Sequence, residues 1–242
     1  MIEAGAWGLI GASSLLIGAV AGLLLDIPTR AVGLILAFGA GTLISAVAFE
    51  LTEEAYRLGG ADTVTLGLAL GALAYFAGDE LLARRGARDR MSMRAETRGD
   101  TSTALVLGAV LDGIPESAVI GLSLLAGGGV AVPVLAAVFL SNLPESISSS
   151  IGMRNAGAGT GHVLRVWVVV TLVCGAAAAA GYTLLDGAGG DWVGLIQAFA
   201  GGAVLTMLAE TMMPEAFRDG GRAVGLLTVL GFALAYLLST LE

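Results

Sequence analysis

The 242-residue sequence has few of the side chains that soluble enzymes commonly use in catalysis. It has no lysine, one histidine (His162) and one cysteine (Cys174), and only 13% of its residues are charged. A single cysteine excludes an internal disulfide. Without lysine, and with one histidine far from any candidate serine in the sequence, a serine nucleophile has no ordinary base. We expect Cys174 to serve in helix packing and His162 to be solvated.

Apolar residues are abundant instead, at 56% of the chain, and the mean hydropathy is +0.87. These values are typical of a polytopic membrane protein, and each long apolar run is near the roughly 20 residues that span a bilayer. The sequence therefore predicts one all-α transmembrane domain over residues 1–242 in contact with the lipid bilayer. The predicted helices are about 4–25, 31–51, 64–82, 103–126, 130–152, 163–185, 192–213 and 221–241. A signal peptide begins with basic residues, whereas this run begins with Glu3. We therefore expect the first run to be a transmembrane helix and not a cleaved signal peptide.

The arginines predict the orientation of these helices. Half of the twelve lie in the predicted loop 83–102: Arg84, Arg85, Arg88, Arg90, Arg94 and Arg98. The positive-inside rule makes this loop cytoplasmic, and eight spans then place every arginine but Arg57 inside and both termini outside. The loop has no aromatic residue on which bases could stack, so we expect no nucleic-acid partner. We expect the protein in the cell (inner) membrane.

The chain also repeats itself. Phe38-Gly-Ala-Gly-Thr-Leu returns 161 residues later as Phe199-Ala-Gly-Gly-Ala-Val, and Glu54-Ala-Tyr-Arg-Leu-Gly-Gly60 returns as Glu215-Ala-Phe-Arg-Asp-Gly-Gly221. The predicted orientation makes the second and seventh helices run in opposite directions. The expected plan is therefore three helices, a central pair and three inverted helices, an arrangement typical of secondary transporters.

The central pair carries the polar residues of greatest interest. Its helices contain Asp112-Gly-Ile-Pro-Glu116-Ser117 and Ser141-Asn142-Leu-Pro-Glu145-Ser146. A charged side chain at the bilayer centre costs about 2.5–3.5 kcal/mol, and an interior proline frees a backbone carbonyl. Spacing of four residues places Asp112 with Glu116 and Ser141 with Glu145 on one helix face. Protonation or a bound divalent cation would relieve the repulsion between the carboxylates.

With these motifs the chain resembles the ZIP (Zrt/Irt-like) family of divalent metal transporters. That family has eight helices in a three-two-three plan, with a metal site made by Pro-Glu motifs on the fourth and fifth. The resemblance implies that Glu116 and Glu145 are bridging carboxylates and that Ser141 occupies a ligand position. Ser117, Ser146 and Glu210 are additional candidates along the transport path, Glu210 because it precedes the Met213-Pro-Glu-Ala segment of the seventh helix.

Several family residues are replaced here. Asp112 replaces a histidine, Gly113 an asparagine, and Asn142 a common acidic residue, while the sixth helix has no carboxylate. The resulting oxygen set suits manganese, iron, magnesium or calcium at least as well as zinc, with cadmium as a further candidate. We expect one bound metal rather than two, as the transported substrate.

Other interpretations remain open from the sequence. The carboxylates could carry protons for a non-metal solute, bind metal without transporting it, or stabilise helix contacts in protonated form. An intramembrane enzyme is disfavoured. No histidine or lysine lies near Ser141 or Ser146 to act as a base. A paired-aspartate protease would need two aspartates, and the central helices contain only Asp112. We therefore expect a protein that is not an enzyme, and glycine-rich helix faces are compatible with a homodimer.

Overall fold

A computed structural model describes residues 1–84, 101–126 and 130–240, and these residues are helical apart from short connections. The α-helices, in chain order, are α1 Ile2–Leu24, α2 Thr29–Ala46, α3 Glu53–Leu82, α4 Thr101–Ser123, α5 Val132–Asn155, α6 Thr160–Leu185, α7 Gly190–Met207, α8 Met213–Gly220 and α9 Val224–Ser239. Most of the predicted arginine-rich loop 83–102 lies outside the described residues. The prediction of an all-α protein is confirmed at this level.

Five continuous helical runs in the described residues are long and apolar enough to cross a membrane. They are Ile2–Leu24, Thr29–Leu82, Val132–Asn155, Thr160–Leu185 and Gly190–Ser239. Many large apolar side chains on these helices are exposed, as a lipid-facing surface requires. The chain is therefore a multi-pass membrane protein.

Two of these runs are longer than predicted because the helix does not end at the polar residues. A π-helix, Val47–Thr52, joins α2 to α3, and a second one, Leu208–Met212, joins α7 to α8. The helical ladder breaks later, at Gly60 (φ 73°) and near Gly221 (φ 68°). A positive φ is accessible to glycine at little cost, so both breaks occur where the sequence permits them.

Glycines set the close approach of α1 to α5, the helix that carries the second Pro-Glu motif. A Cβ added to Gly18 would lie 2.4 Å from the carbonyl oxygen of Leu143, and one on Gly22 would lie 2.7 Å from that of Ile147. Gly18 and Gly22 are thus a pair of small residues, four positions apart, that allows close helix packing.

Glycines allow equally close contacts between three other pairs of helices. Gly71 of α3 faces the Phe199 carbonyl of α7, and Gly231 of α9 faces the Phe38 carbonyl of α2. In α4, Gly121 faces the Ala178 carbonyl of α6. In each case the added Cβ would be about 2 Å from the oxygen, so no larger residue fits without helix displacement. The polar helices α4 and α5 are thus held against α6 and α1, respectively.

Candidate functional site

The structure buries seven of the eight candidate residues in the middle of α4 and α5. Those with exposed fractions of 5% or less are Asp112, Glu116, Ser117, Ser141, Asn142, Glu145 and Ser146. Pro115 and Pro144 lie inside the two helices beside the glutamates, as the motifs require. Burial of three carboxylates in an apolar helical protein is costly, so their neighbours decide what the cluster can do.

Two contacts link the carboxylates of α4 to other helices. The hydroxyl of Tyr75, in α3, donates a hydrogen bond to Oδ1 of Asp112. The hydroxyl of Ser141, in α5, lies 3.3 Å from Oε2 of Glu116 and 3.0 Å from the Val138 carbonyl oxygen. Asp112 also lies close enough to Glu116 to interact with it electrostatically. The two acidic residues of α4 and the serine of α5 therefore share one polar region.

Other buried atoms of this region have no hydrogen-bond partner among the described residues. They are Oε1 of Glu116 and both the Oδ1 and Nδ2 atoms of Asn142. Buried polar atoms are nearly always satisfied in native proteins, by protein groups, water or ions. The unsatisfied oxygens of Glu116 and Asn142 are of the type that binds a divalent cation.

The carboxylates alone do not make a closed metal site. Within the ranges that the structure describes, no group of three or more histidine, cysteine, aspartate or glutamate side chains is arranged to hold an ion. A cation bound here would need serine, amide, carbonyl or water oxygens as well. One freed carbonyl, that of Leu140, faces α2, where a Cβ added to Gly39 would lie 3.2 Å from it.

Two of the candidate residues, Glu210 and Ser146, differ from the rest in their surroundings. Glu210 lies on the π-helix Leu208–Met212 and is exposed, away from the buried cluster. Ser146 is buried, but its hydroxyl donates within α5, 2.9 Å from the Asn142 carbonyl oxygen. His162 is exposed at the start of α6, as expected of a residue outside the site.

Cys174 is buried in an apolar cluster with residues of α1, α5 and α6, and it also borders the polar region. Its Sγ is 3.7 Å from the carbonyl oxygen of Gly113, the residue after Asp112. The Ser117 hydroxyl is beside the thiol, and Glu116 and Glu145 are near enough to interact with it electrostatically. The expectation that Cys174 serves in helix packing agrees with this burial, and the structure adds its contact with Gly113. No local pattern could reveal the contact, because it joins residues 61 positions apart.

Tyr75 is a second residue that sequence reasoning missed, although a signal was present. It is a tyrosine within an otherwise apolar run, and only 2% of it is exposed. A buried tyrosine hydroxyl usually needs a hydrogen-bond partner. In an apolar helix, that partner has to come from another helix, and Asp112 supplies it.

A cavity of about 290 Å³ lies between α3, α4, α5, α7 and α9. We call it the acidic cavity, because its lining includes Glu50, Glu53 and Glu54 against one arginine, Arg57, which pairs with Glu54. Val119, one helical turn after Glu116, also lines it, so the cavity lies on the side of the buried cluster toward the end of α4. Gln197, 4% exposed, contributes a buried Oε1 that has no partner in the described chain.

Comparisons with known proteins reveal a distant relative. No family model matches the chain. The chain is similar to an Arabidopsis thaliana protein named "Putative zinc transporter", with 23% identity over 206 residues. The alignment covers 84% of this chain, which spans about a third of the length of that relative. The chain is thus a helical membrane protein with distant homology to a protein named for zinc transport.

Proposed function

We propose that this protein is a ZIP-like secondary transporter that moves divalent metal ions into the cytoplasm through a site between α4 and α5. The observation that carries the proposal is the buried cluster of Asp112, Glu116, Ser141, Asn142 and Glu145 on two proline-containing helices. An apolar membrane protein has no structural need for unsatisfied carboxylate and amide oxygens at this depth, whereas a cation pathway does. The name of the Arabidopsis relative supports the same class of substrate.

The proposed plan has eight transmembrane helices, arranged three, two and three. It is supported by the length of two helical runs, 54 and 50 residues, because a straight helix of 50 residues is about 75 Å long and the hydrocarbon core is about 30 Å thick. The break at Gly60 divides the first run into two crossings, and the break near Gly221 divides the second run in the same way. With α4, this gives eight crossings, with both termini outside the cell.

An inverted repeat is supported by features that recur 161 residues apart. Gly60 and Gly221 both have positive φ. The arginine three residues before each glycine pairs with a glutamate, Arg57 with Glu54 and Arg218 with Glu215, each at 3.3 Å. The same offset relates α2 to α7 and the later part of α3 to α9. The pair α2–α9 in one half therefore corresponds to the pair α7–α3 in the other, and both pairs pack extensively.

In the proposed pathway, metal reaches the site through the acidic cavity. Its glutamates raise the local concentration of cations at the outer side of the membrane. Asp112, Glu116 and Glu145 then replace part of the ion's water shell, and Ser141 and Asn142 add neutral oxygens. Release to the cytoplasm follows when one helix bundle rocks against the other. The site takes one ion of the zinc, iron, manganese or cadmium class.

Metal flux into liposomes tests this proposal. Purified protein is reconstituted with a zinc indicator inside, and uptake is compared between wild type, Glu116→Gln and Glu80→Gln. Glu80 is an exposed glutamate paired with Arg84 near the end of α3, so its replacement controls for loss of one negative charge. We expect Glu116→Gln to lower uptake at least about tenfold at subsaturating zinc, and Glu80→Gln to match wild type.

Other outcomes identify the alternatives. Metal binding without flux would mean a binding protein rather than a transporter. Flux of a non-metal solute driven by a proton gradient, with no divalent flux, would mean that the carboxylates carry protons. Equal zinc uptake by wild type and Glu116→Gln would contradict the proposed site.

A further inference from the structure

Helix α4 borders a cavity on one side of Glu116 and is closely packed on the other. Val119 and Ser123, which follow Glu116, line the acidic cavity. Leu111 and Asp112, which precede it, contact α3 instead. In the proposed topology the acidic cavity faces outside, and α3 covers the path from the site to the cytoplasm. The structure therefore corresponds to an outward-facing state.

One face of α3 makes this inner contact. Tyr75, Gly78 and Leu82 follow one another at intervals of three and four residues, so they share a helix face. The Tyr75 hydroxyl donates a hydrogen bond to Asp112. A Cβ added to Gly78 would lie 3.2 Å from a methyl carbon of Leu111, and Leu82 packs against the same side chain. Tyr75 and Leu82 are both buried, so the contact excludes water.

Tyr75 has a counterpart in the second half of the chain. Leu73-Ala-Tyr75 recurs 161 residues later as Leu234-Ala-Tyr236, at the offset of the proposed inverted repeat. The two Pro-Glu motifs likewise relate Asp112 of α4 to Ser141 of α5, at an offset of 29. The repeat therefore relates the contact of the first tyrosine with Asp112 to a contact of the second tyrosine with Ser141, on the outer side.

The two tyrosines differ in their surroundings. Tyr75 is 2% exposed, whereas Tyr236 is 43% exposed. The ring of Tyr236 lies 5.0 Å from the ring of Phe49, which lines the acidic cavity. The Ser141 hydroxyl is directed to Glu116 and to the backbone of its own helix. One tyrosine thus contacts the central pair of helices, while its counterpart lies beside the open cavity.

We infer that Tyr75 and Tyr236 close the transport path in turn, Tyr75 on the cytoplasmic side and Tyr236 on the outer side. This inference rests on the proposed function, because inverted repeats exchange their conformations when access alternates. In the outward-facing state, Tyr75 holds the inner contact closed and positions Asp112 for the incoming ion. When α3 separates from α4, Asp112 loses this donor and the site binds the ion less tightly. Tyr236 then packs against α5 beside Ser141 and closes the acidic cavity.

Thiol labelling of the purified full-length protein in detergent tests the inference without metal. Leu82→Cys places a reporter in the inner contact, and Ser123→Cys places one in the acidic cavity. Cys174 is completely buried, so the protein without an added cysteine serves as the blank. A water-soluble thiol reagent should label Ser123→Cys readily and Leu82→Cys slowly.

The two tyrosines should change this labelling in opposite directions. Tyr75→Phe removes a hydrogen bond to a carboxylate from the closed inner contact, so labelling of Leu82→Cys should become about tenfold faster. Tyr236→Phe removes a hydrogen bond from the inward-facing state, so the same labelling should become about fivefold slower. Tyr56→Phe, at an exposed tyrosine, should leave it unchanged. A general loss of folding would instead raise labelling at both reporters.

Zinc uptake into liposomes gives a second measurement in protein that carries no reporter cysteine. Tyr75→Phe should raise the KM, whereas Tyr236→Phe should lower the maximal rate and leave zinc affinity in a titration unchanged. If wild type transports zinc but the two Tyr→Phe changes affect labelling equally or not at all, the inference fails and the proposed function stands. If labelling responds as expected but no divalent metal moves, the proposed function fails and the paired closure stands.

Discussion

Gly18 is the position at which a small substitution should disturb the proposed site most directly. A Cβ at this residue of α1 would lie 2.1 Å from the Ser146 hydroxyl and 2.4 Å from the Leu143 carbonyl oxygen. Ordinary contact begins at about 3.4 Å, so α1 or α5 must move by about 1 Å in Gly18→Ala. Because the Leu143 oxygen belongs to the helix backbone, it cannot move alone.

The expected cost follows from this overlap. Overpacking of this size destabilises proteins by about 1–3 kcal/mol. The better helix propensity of alanine offsets up to about 1 kcal/mol of it. Since Glu145 lies between the two contacted residues, the shift also displaces a proposed ligand. We expect both a lower unfolding temperature and zinc uptake reduced about tenfold or more.

The assay compares Gly18→Ala with Gly225→Ala in detergent and in liposomes. Gly225 is in α9, and an added Cβ there meets no atom within 4 Å. The control should therefore keep wild-type uptake and an equal or higher unfolding temperature. If Gly18→Ala behaves like Gly225→Ala in both measurements, the close packing of α1 on α5 does not position the site.

Two further predictions concern residues around the cluster. Tyr75→Phe removes the donor to Asp112 and keeps the ring, so zinc affinity in a titration should fall about 10–100-fold, with exposed Tyr56→Phe unchanged. Equal affinities would show that Tyr75 does not orient Asp112. Glu53→Gln in the acidic cavity should raise the KM for zinc uptake at low ionic strength. The difference should vanish near 1 M salt, where screening acts over about 3 Å, and a difference that persists would argue against electrostatic attraction.

The buried cluster could be predicted because helical periodicity is a local property. A spacing of four residues places Asp112 with Glu116, and Ser141 with Glu145, whatever the neighbouring helices do. The cost of a charge in the membrane then requires that these faces turn inward. The structure buries all four residues, in agreement with that reasoning.

Glu210 was a candidate because of the family resemblance, and local spacing did not predict its surroundings. Its neighbourhood in the seventh predicted helix resembles a family pattern, but the residue lies in a π-helix. A π-helix has i→i+5 hydrogen bonds, so it rotates the following side chains relative to an α-helix. Glu210 is exposed. The sequence predicts that the second helix ends at Leu51, whereas the helix continues to Gly59. The difference arises because polar residues can continue a helix beyond its apolar part.

The contacts of Tyr75 and Cys174 depend on helix packing, which has no local signature. Tyr75 meets Asp112 across 37 positions, and Cys174 meets Gly113 across 61. The second contact depends on how closely α4 approaches α6, which glycines on these helices allow. These glycines contact backbone atoms, which every residue has, so the sequence does not identify their partners. The sulfur beside the proposed site therefore required the three-dimensional structure.

A zinc-soaked structure with element-specific anomalous scattering tests the central claim most directly. We expect a zinc peak between α4 and α5, with oxygens of Glu116 and Glu145 about 2.0–2.2 Å from the ion. The same peak should be absent from Glu116→Gln crystals grown and soaked identically. A structure with no peak between these helices, or with zinc only in the acidic cavity, would contradict a transport site formed by the two Pro-Glu motifs.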